Sequence, residues 1–400
     1  MQSAELLMRI CAAPDSDFGS VFTDLTEARW GELVELATDK RAAPLLDRSI
    51  QHAKSAHLVP TECSAMIADQ LRLHTMSAFG HLIALTQAVE FLKAHDITPI
   101  ALKGARLAFA DYPEGRLRPL RDLDLLVPAE IAEHTQQLMI DSGVYEVASW
   151  ADHYGIEFGH QLPELLDTHR GISFEIHHRL NARGWPQEPQ LVQRMHDEAE
   201  TITLSGVPIR VPSMHANFLH LVEHATLHHM FENGPLILAD LHFAAKTGKV
   251  DWPALIAEAN ALGLERSLQL VAALALKYGA TWVPAALAET CGNMADHIDV
   301  AEEAILRDED DAEHHKFLRN LSMRKGRQSG WRAAIRAALT PNPLRLAGML
   351  QVQGNNPIRW LAYPAWLVQR GAAYLAARRV KTITKSTMRE VATLNWLKQG

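Results

Sequence analysis

Apolar positions recur every three or four residues through LTEARWGELVELATDKRAAPLLDRSI and again from Thr61 to Ala94, with few glycines. That spacing predicts helices across residues 1–95. Pro14 and Pro60 punctuate them, and Asp24 and Thr61 stand where N-caps are wanted. At Asp96 the pattern changes. Ile97–Leu102 is short and apolar and ends at Lys103-Gly104, which suits a strand running into a turn, and ARLAFADYP then fits a short helix stopped by Pro113. RDLDLLVP alternates polar and apolar residues and is the clearest strand, ended by Pro128. IAEHTQQLMIDSG reads as a helix closed by Gly143, and YEVASW, GIEFGHQLPELLD and GISFEIHHRL read as strands. TITLSGVPIRVPS resembles a hairpin. From Met214 the helical period returns in HANFLHLVEHATLHHMF, LILADLHFAAKTG, DWPALIAEANALG and LERSLQLVAALALKYG. The predicted fold class is therefore α+β. A small mixed-sheet core over 96–213 is flanked by a helical N-terminal region (1–95), a helical segment (214–320) and a basic helical tail (321–400).

Composition sharpens this only in places. With 400 residues the chain exceeds one ordinary core, and 48% hydrophobic against 22% charged residues excludes a disordered chain. No run of 18 apolar residues occurs, so no spanning helix is expected. MQSAELLMRI offers an acid and no basic segment before its apolar stretch, which argues against a signal peptide and for a cytoplasmic protein. Cys11, Cys63 and Cys291 are far apart and form no CxxC pair, so neither a thiolate zinc site nor a disulfide framework is expected. The formal charge of −8 hides an asymmetry: residues 321–400 carry 14 Lys or Arg and one acid, Glu390, a balance of +13 against −21 elsewhere. The basic end is expected to meet something anionic: nucleic acid, the inner face of a membrane, or the acidic body of the chain itself. A solvated helical face accounts for it equally well.

The candidate chemistry lies in ALKGARLAFADYPEGRLRPLRDLDLLV. On a strand, Asp122 and Asp124 project from one face while Leu123 and Leu125 point into the core. Two adjacent carboxylates repel, and a divalent cation with a taste for hard oxygen, magnesium or else manganese, resolves the conflict. In ISFEIHH, Ser173, Glu175 and His177 share one face, so Glu175 joins the two aspartates if the strands are neighbours. A two-metal site built on Asp122, Asp124 and Glu175 could activate an attacking oxygen and stabilise departing pyrophosphate. A lone DxD at a strand end is as often a solvated edge as a site. Here the context adds Gly104 in a strand–turn–helix setting, where backbone N–H groups can approach phosphate, and a crowd of cations, Lys103, Arg116, Arg118 and Arg121.

LKG-x-R-L followed by R-x-x-x-D-L-D-L-L-V resembles the glycine turn and DxD signature of polymerase-beta-type nucleotidyltransferases. More narrowly, the chain is similar to a bacterial family of uncharacterised nucleotidyltransferases with an LLKG…R…DIDLLV core. That family continues with an acid-x-His-Trp strand, matched by Glu175-Ile176-His177-His178, then a histidine-bearing helix and an RL…LxDL helix, matched by His224 and by Asp240 in LILADLHF. The resemblance covers about residues 60–280. It implies a nucleoside triphosphate bound near Lys103, Gly104, Arg118, Arg121 and His224. It also implies transfer of the nucleoside monophosphate to an acceptor hydroxyl on a sugar, a lipid-linked intermediate, a peptide, a protein or RNA. Three positions depart from the family pattern: Gly104-Ala105 replaces a Gly-Gly or Gly-Ser turn, Arg121 stands where a small residue is usual, and His178 replaces the Trp. A degenerate member that binds nucleotide and regulates a partner is the non-enzymatic alternative.

A different class is suggested by His220-Leu221-Val222-Glu223-His224, which spells HxxEH, the inverted zinc-protease motif. Histidines at i and i+4 share a helix face, and Glu223 could act as base, with Glu289 or Glu302 as the spacing-compatible third ligand. His215, His228 and His229 decorate the same segment, so a histidine stripe produces the motif by chance as readily as by function. A kinase reading fails: IALK and LRDLD lie too close together, and neither an Asn five residues after Asp122 nor a DFG follows.

Overall fold

The computed structural model describes residues 2–149, 151, 156, 159–181, 185–308, 356–379 and 381–399, with 311, 312, 315, 316, 318, 319, 341, 346, 347, 349, 350 and 352 between them. Trp150, most of 152–158, which includes the first part of the expected strand GIEFGHQLPELLD, and the whole of 321–340 lie outside the described residues.

Five helices open the chain: α1 (Ser3–Ala12), α2 (Gly19–Thr23), α3 (Glu27–Asp39), α4 (Ala43–His52) and the long α5 (Thr61–Lys93). The cap of α3 is Thr26 rather than Asp24: its hydroxyl accepts from the Arg29 N–H at 3.4 Å. Thr61 is the first helical residue of α5, and Pro60, with φ of −55°, holds the cap position.

The sheet follows. Its strands are β1 (Ile100–Ala101), β2 (Asp122–Leu126), β3 (Tyr145–Val147), β4 (Leu165–Asp167), β5 (Ile172–His177), β6 (Glu200–Leu204) and β7 (Val207–Val211). They run in the order β3-β4-β5-β2-β1-β7-β6, with β2–β5 and β1–β7 parallel and the other pairs antiparallel. The class is α+β with one mixed sheet. Between strands lie the short α6 (Lys103–Arg106), α7 (Ala129–Asp141) and α8 (Glu188–Asp197), the last of which the sequence pattern did not predict. Its apolar positions, Leu191, Val192 and Met195, span barely one turn and so carry a weak helical period. The β6–β7 hairpin turns at Ser205-Gly206, both with positive φ (49° and 85°), the twist that suits right-handed strands.

The C-terminal half adds α9 (Met214–Glu223), α10 (Leu236–Lys246), α11 (Trp252–Ala261), α12 (Glu265–Lys277), α13 (Ala285–Ala288), α14 (Ala295–Leu306), α15 (Tyr363–Arg379) and α16 (Lys381–Leu397). Two apolar cores hold the sheet. Leu123, Leu125, Phe174 and Ile176 pack one sheet face against Ala84, Leu85, Ala88 and Leu92 of α5 and Ala132 and Met139 of α7. Ile100, Leu102 and Leu126 join a larger core shared by α1, α3, α4 and α8–α14. The period of two thus sorts each strand between two cores, and the polar face of β2 looks toward the helical body. Among the described residues no helix is long and apolar enough to cross a membrane.

Glu390, the one acid of the basic tail, is fully buried in α16. It accepts from Arg307 (2.6 Å), Arg319 (3.0 Å) and His315 (2.9 Å), and Arg319 also reaches Glu232 at 2.7 and 3.0 Å. Burial raises the carboxyl's pKa, but His315 and the two guanidiniums outweigh it and bring it down to about 2. Glu390→Ala is expected to lower unfolding free energy by about 3–5 kcal/mol in urea titrations at neutral pH, because it strands buried cations. A folded-state pKa depressed below the ordinary value of 4.5 gives stability that is complete above that pH and lost on acidification towards about 2. The gap between wild type and variant should therefore narrow over that window.

Candidate active site

The register of the central pair brings the carboxylates together. In the parallel β2–β5 ladder Asp122 stands beside Ser173, Asp124 beside Glu175 and Leu126 beside His177. Antiparallel pairing of β1 with β2 continues one step past the strand, where the Leu102 N–H donates to the Asp124 carbonyl at 3.0 Å. Lys103 follows at once, in a left-handed conformation (φ 43°) that is costly for a residue with a Cβ. The sequence placed the turn at Gly104; the unusual backbone is that of Lys103. Gly104 lets the turn pack closely, because a Cβ there would sit 2.7 Å from Leu120 Cδ2 and push that side chain aside.

Lys103 Nζ donates to Asp124 Oδ1 at 3.0 Å, and His177 Nε2 bridges Asp124 Oδ1 (2.7 Å) and Glu175 Oε2 (3.1 Å). Asp122 has no side-chain hydrogen bond from the described residues. Burial and the charges of Asp124 and Glu175 push its carboxyl up to about 7. Burial disfavours the Asp124 carboxylate too, but Lys103 and the His177 hydrogen bond hold its pKa well below the ordinary range. Burial and Lys103 oppose a charge on His177, yet its hydrogen bonds to Asp124 and Glu175 win and lift it to about 9. Three acids meet two cations here, and one acid remains short of compensation. Asp124, Glu175 and His177 are close enough to share one ion, their ligand atoms lying within 4.8 Å of one another. Adding Asp122 gives the hard-oxygen set that magnesium or manganese prefers.

These groups line a cleft of about 350 Å³ between sheet and helical body. Lys103, Gly104, Arg118, Arg121, Asp122, Asp124, Glu175 and His224, all named from the sequence, share its walls. Arg118 is not a loose cation: its Nε donates to Asp240 Oδ1 at 2.6 Å, and the Tyr112 hydroxyl donates to the same oxygen at 2.7 Å. Arg116 lies outside the cleft, paired with Glu114.

Sequence reasoning missed several groups. Arg41 reaches the cleft from the α3–α4 turn, more than sixty residues before the nearest site residue, in a left-handed conformation (φ 56°). Burial and the charges of Arg121 and Arg118 lower its pKa to about 10, so it stays cationic, and no side-chain hydrogen bond from the described residues occupies it. His160 lies between His177 and His228, its ring tilted to the first and edge-on to the second, with centroids 5.3 and 4.9 Å away. Burial takes its pKa down to about 2. His177 was readable, since alternation puts it on the Glu175 face. Arg41 and His160 carried no local signal.

Among the described residues the HxxEH side chains do not come together as a group able to share an ion. His220 is fully buried beneath the cleft, neither ring nitrogen having a hydrogen-bond partner among the described residues. Glu223 is bonded by Asn181. Glu302 pairs with Lys277 and Glu289 is exposed, and neither joins these histidines in a group able to share an ion.

Residues 26–279, well over half the chain, match a family model described as uncharacterised nucleotidyltransferase. No curated protein and no solved structure matches the chain.

The crowding of acids has a measurable consequence. Millimolar Mg²⁺ is expected to raise the melting temperature of the wild type, by mass action on the folded state, and to leave Asp124→Asn unmoved. Because the ion competes with the proton on Asp122, apparent Mg²⁺ affinity should climb as pH rises to about 7 and level off above it. A pH-independent shift, or the same shift in the variant, contradicts the assignment.

Proposed function

The chain belongs to this nucleotidyltransferase family, and on that premise we propose that it transfers a nucleoside monophosphate from a nucleoside triphosphate to an acceptor hydroxyl, with magnesium held by Asp122, Asp124 and Glu175. One observation carries the reading most: the β2–β5 register sets three carboxylates of a nucleotidyltransferase-family chain side by side at the mouth of a cationic cleft. The polymerase-beta type of core is part of the same proposal, supported by the DxD strand and its glycine turn.

Magnesium supplies charge neutralisation at the reacting phosphate and lowers the pKa of the attacking hydroxyl. The protein's own groups do the rest. Arg41 and Arg121 offer charge to the triphosphate, and Arg118, locked by Asp240, presents a fixed guanidinium beside them. Lys103 balances Asp124 and keeps that carboxylate ionised. His224 lines the opposite wall, in reach of the nucleotide. Glu175 accepts the proton of the acceptor hydroxyl as its oxygen bonds to the α-phosphorus. The bond from that phosphorus to the bridging oxygen breaks, and pyrophosphate leaves with the electron pair.

A second reading is a nucleotide-binding module without turnover. It draws on Lys103 and His177, which both donate to the Asp124 oxygen that an ion needs.

Incubation with α-³²P-labelled and γ-³²P-labelled triphosphates, Mg²⁺ and host lysate separates the two. Transfer of α label alone is expected, and the labelled species names the acceptor. Asp124→Asn should reduce transfer by about a thousandfold or more, the loss of several kcal/mol of charge stabilisation, with circular dichroism as the check that the variant is folded. Glu175→Gln should lower turnover more than nucleotide affinity. Transfer of γ label makes the protein a kinase, and binding without transfer selects the module.

A further inference from the structure

We infer that His224, His228 and His229 form a binding site for a zinc-class divalent cation on the helical wall of the cleft, separate from the carboxylates. The inference is independent of nucleotidyl transfer. The three imidazoles offer ligand nitrogens within 4.8 Å of one another, and their ring centroids lie 5.3, 4.4 and 4.5 Å apart. A tetrahedral three-histidine centre needs nitrogens about 3.4 Å apart, a closure that ring rotations supply.

The backbone explains why these three meet. Residues His224–His228 wind as a π-helix, and the His229 N–H donates to the His224 carbonyl at 3.0 Å, five residues back. With about 4.4 residues per turn, positions i+4 and i+5 fall on either side of position i. In an α-helix, i+5 is turned well away from i. The winding therefore collects His229 onto a face that the usual period denies it. Immediately afterwards Met230 (φ 52°) and Phe231 (φ 64°), both fully buried, take left-handed conformations that suit neither residue. Packing holds the segment in this shape at the expense of local strain. Asn233 lies against this ring, its amide nitrogen 3.1 Å from His224 Nδ1; with the amide turned so that its oxygen accepts from Nδ1–H, Nε2 is the nitrogen left for the ion.

Donor chemistry sets the ion. Among the described residues the set is three imidazoles, which suits zinc, or cobalt as its stand-in, and not magnesium. All three rings are half-buried and line the cleft, so a fourth position opens inward, to water or to an anionic oxygen of a substrate. The cleft then has a hard-oxygen wall for magnesium and a nitrogen wall for zinc.

The test is titration of chelator-stripped protein with Co²⁺, followed by Zn²⁺. The expected result is one equivalent of cobalt with the intense visible bands of a tetrahedral centre, displaced by zinc and untouched by millimolar Mg²⁺. His229→Gln should weaken binding by about a hundredfold, with the melting curve of the stripped protein as the check on folding. Asp124→Asn should keep the spectrum. No binding by wild type, or only the weak spectrum of a six-coordinate ion, overturns the proposal, and this reading needs no variant. A spectrum lost in Asp124→Asn and kept in His229→Gln also overturns it, assigning the ion to Asp124, Glu175 and His177.

Discussion

Everything in this structure answers to one constraint: acids that the sheet forces together. Pairing of β2 with β5 in parallel, in a register that sets Asp124 beside Glu175, leaves three carboxylates on one face with little water to screen them. Repulsion of this kind is tolerated only where opposite charge is built in. Lys103 and His177 meet that need for Asp124, while Asp122 keeps a pKa near neutrality as the residue of the imbalance. Two cores hold the strands against this strain. One grips Leu123, Leu125 and Ile176 from behind, and the other takes Ile100, Leu102 and Leu126 on the face that bears the acids. The sheet cannot splay to relieve its charge, so a cation remains the cheapest relief.

The counter-charge comes from far along the chain. Arg41 arrives from the turn between α3 and α4, Arg118 is held by Asp240 of α10, and Lys316 comes from beyond α14. Repulsion among Arg41, Arg118 and Arg121 mirrors that among the acids opposite, and Arg41 shows it in a lowered pKa. Acids and cations thus share one cleft, Asp122, Asp124 and Glu175 lining it together with Lys103, Arg41, Arg118 and Arg121.

Sequence made the acid strand legible because alternation is a local signal. RDLDLL and ISFEIHH each state which residues share a face, and the helical periods on either side bound the sheet between 96 and 213. What stayed hidden is non-local or breaks the period. Arg41 lies in an ordinary helix–helix turn, and nothing near it announces a site. HANFLHLVEHATLHHMF reads as one α-helix, which favours the HxxEH pair; the structure changes to π-winding at His224, buries His220 and turns His228 and His229 to the cleft instead. A reading built on 3.6 residues per turn must fail where the winding itself changes. The seat of Thr26 rather than Asp24 as cap is a smaller instance of the same limit, since both residue types are favoured N-caps.

The tail's charge excess also takes on a different meaning. Glu390 is the single acid among residues 321–400, and it sits at the centre of a buried network instead of diluting the basic surface. Arg319 joins that network to Glu232, three residues beyond His229 and directly after the strained Met230-Phe231 pair. Leu394 and Leu397 of the same helix enter the large core. The C-terminal helix is therefore fastened to the segment that gives the cleft its histidine wall. Through Glu390 and Arg319 the tail anchors that segment.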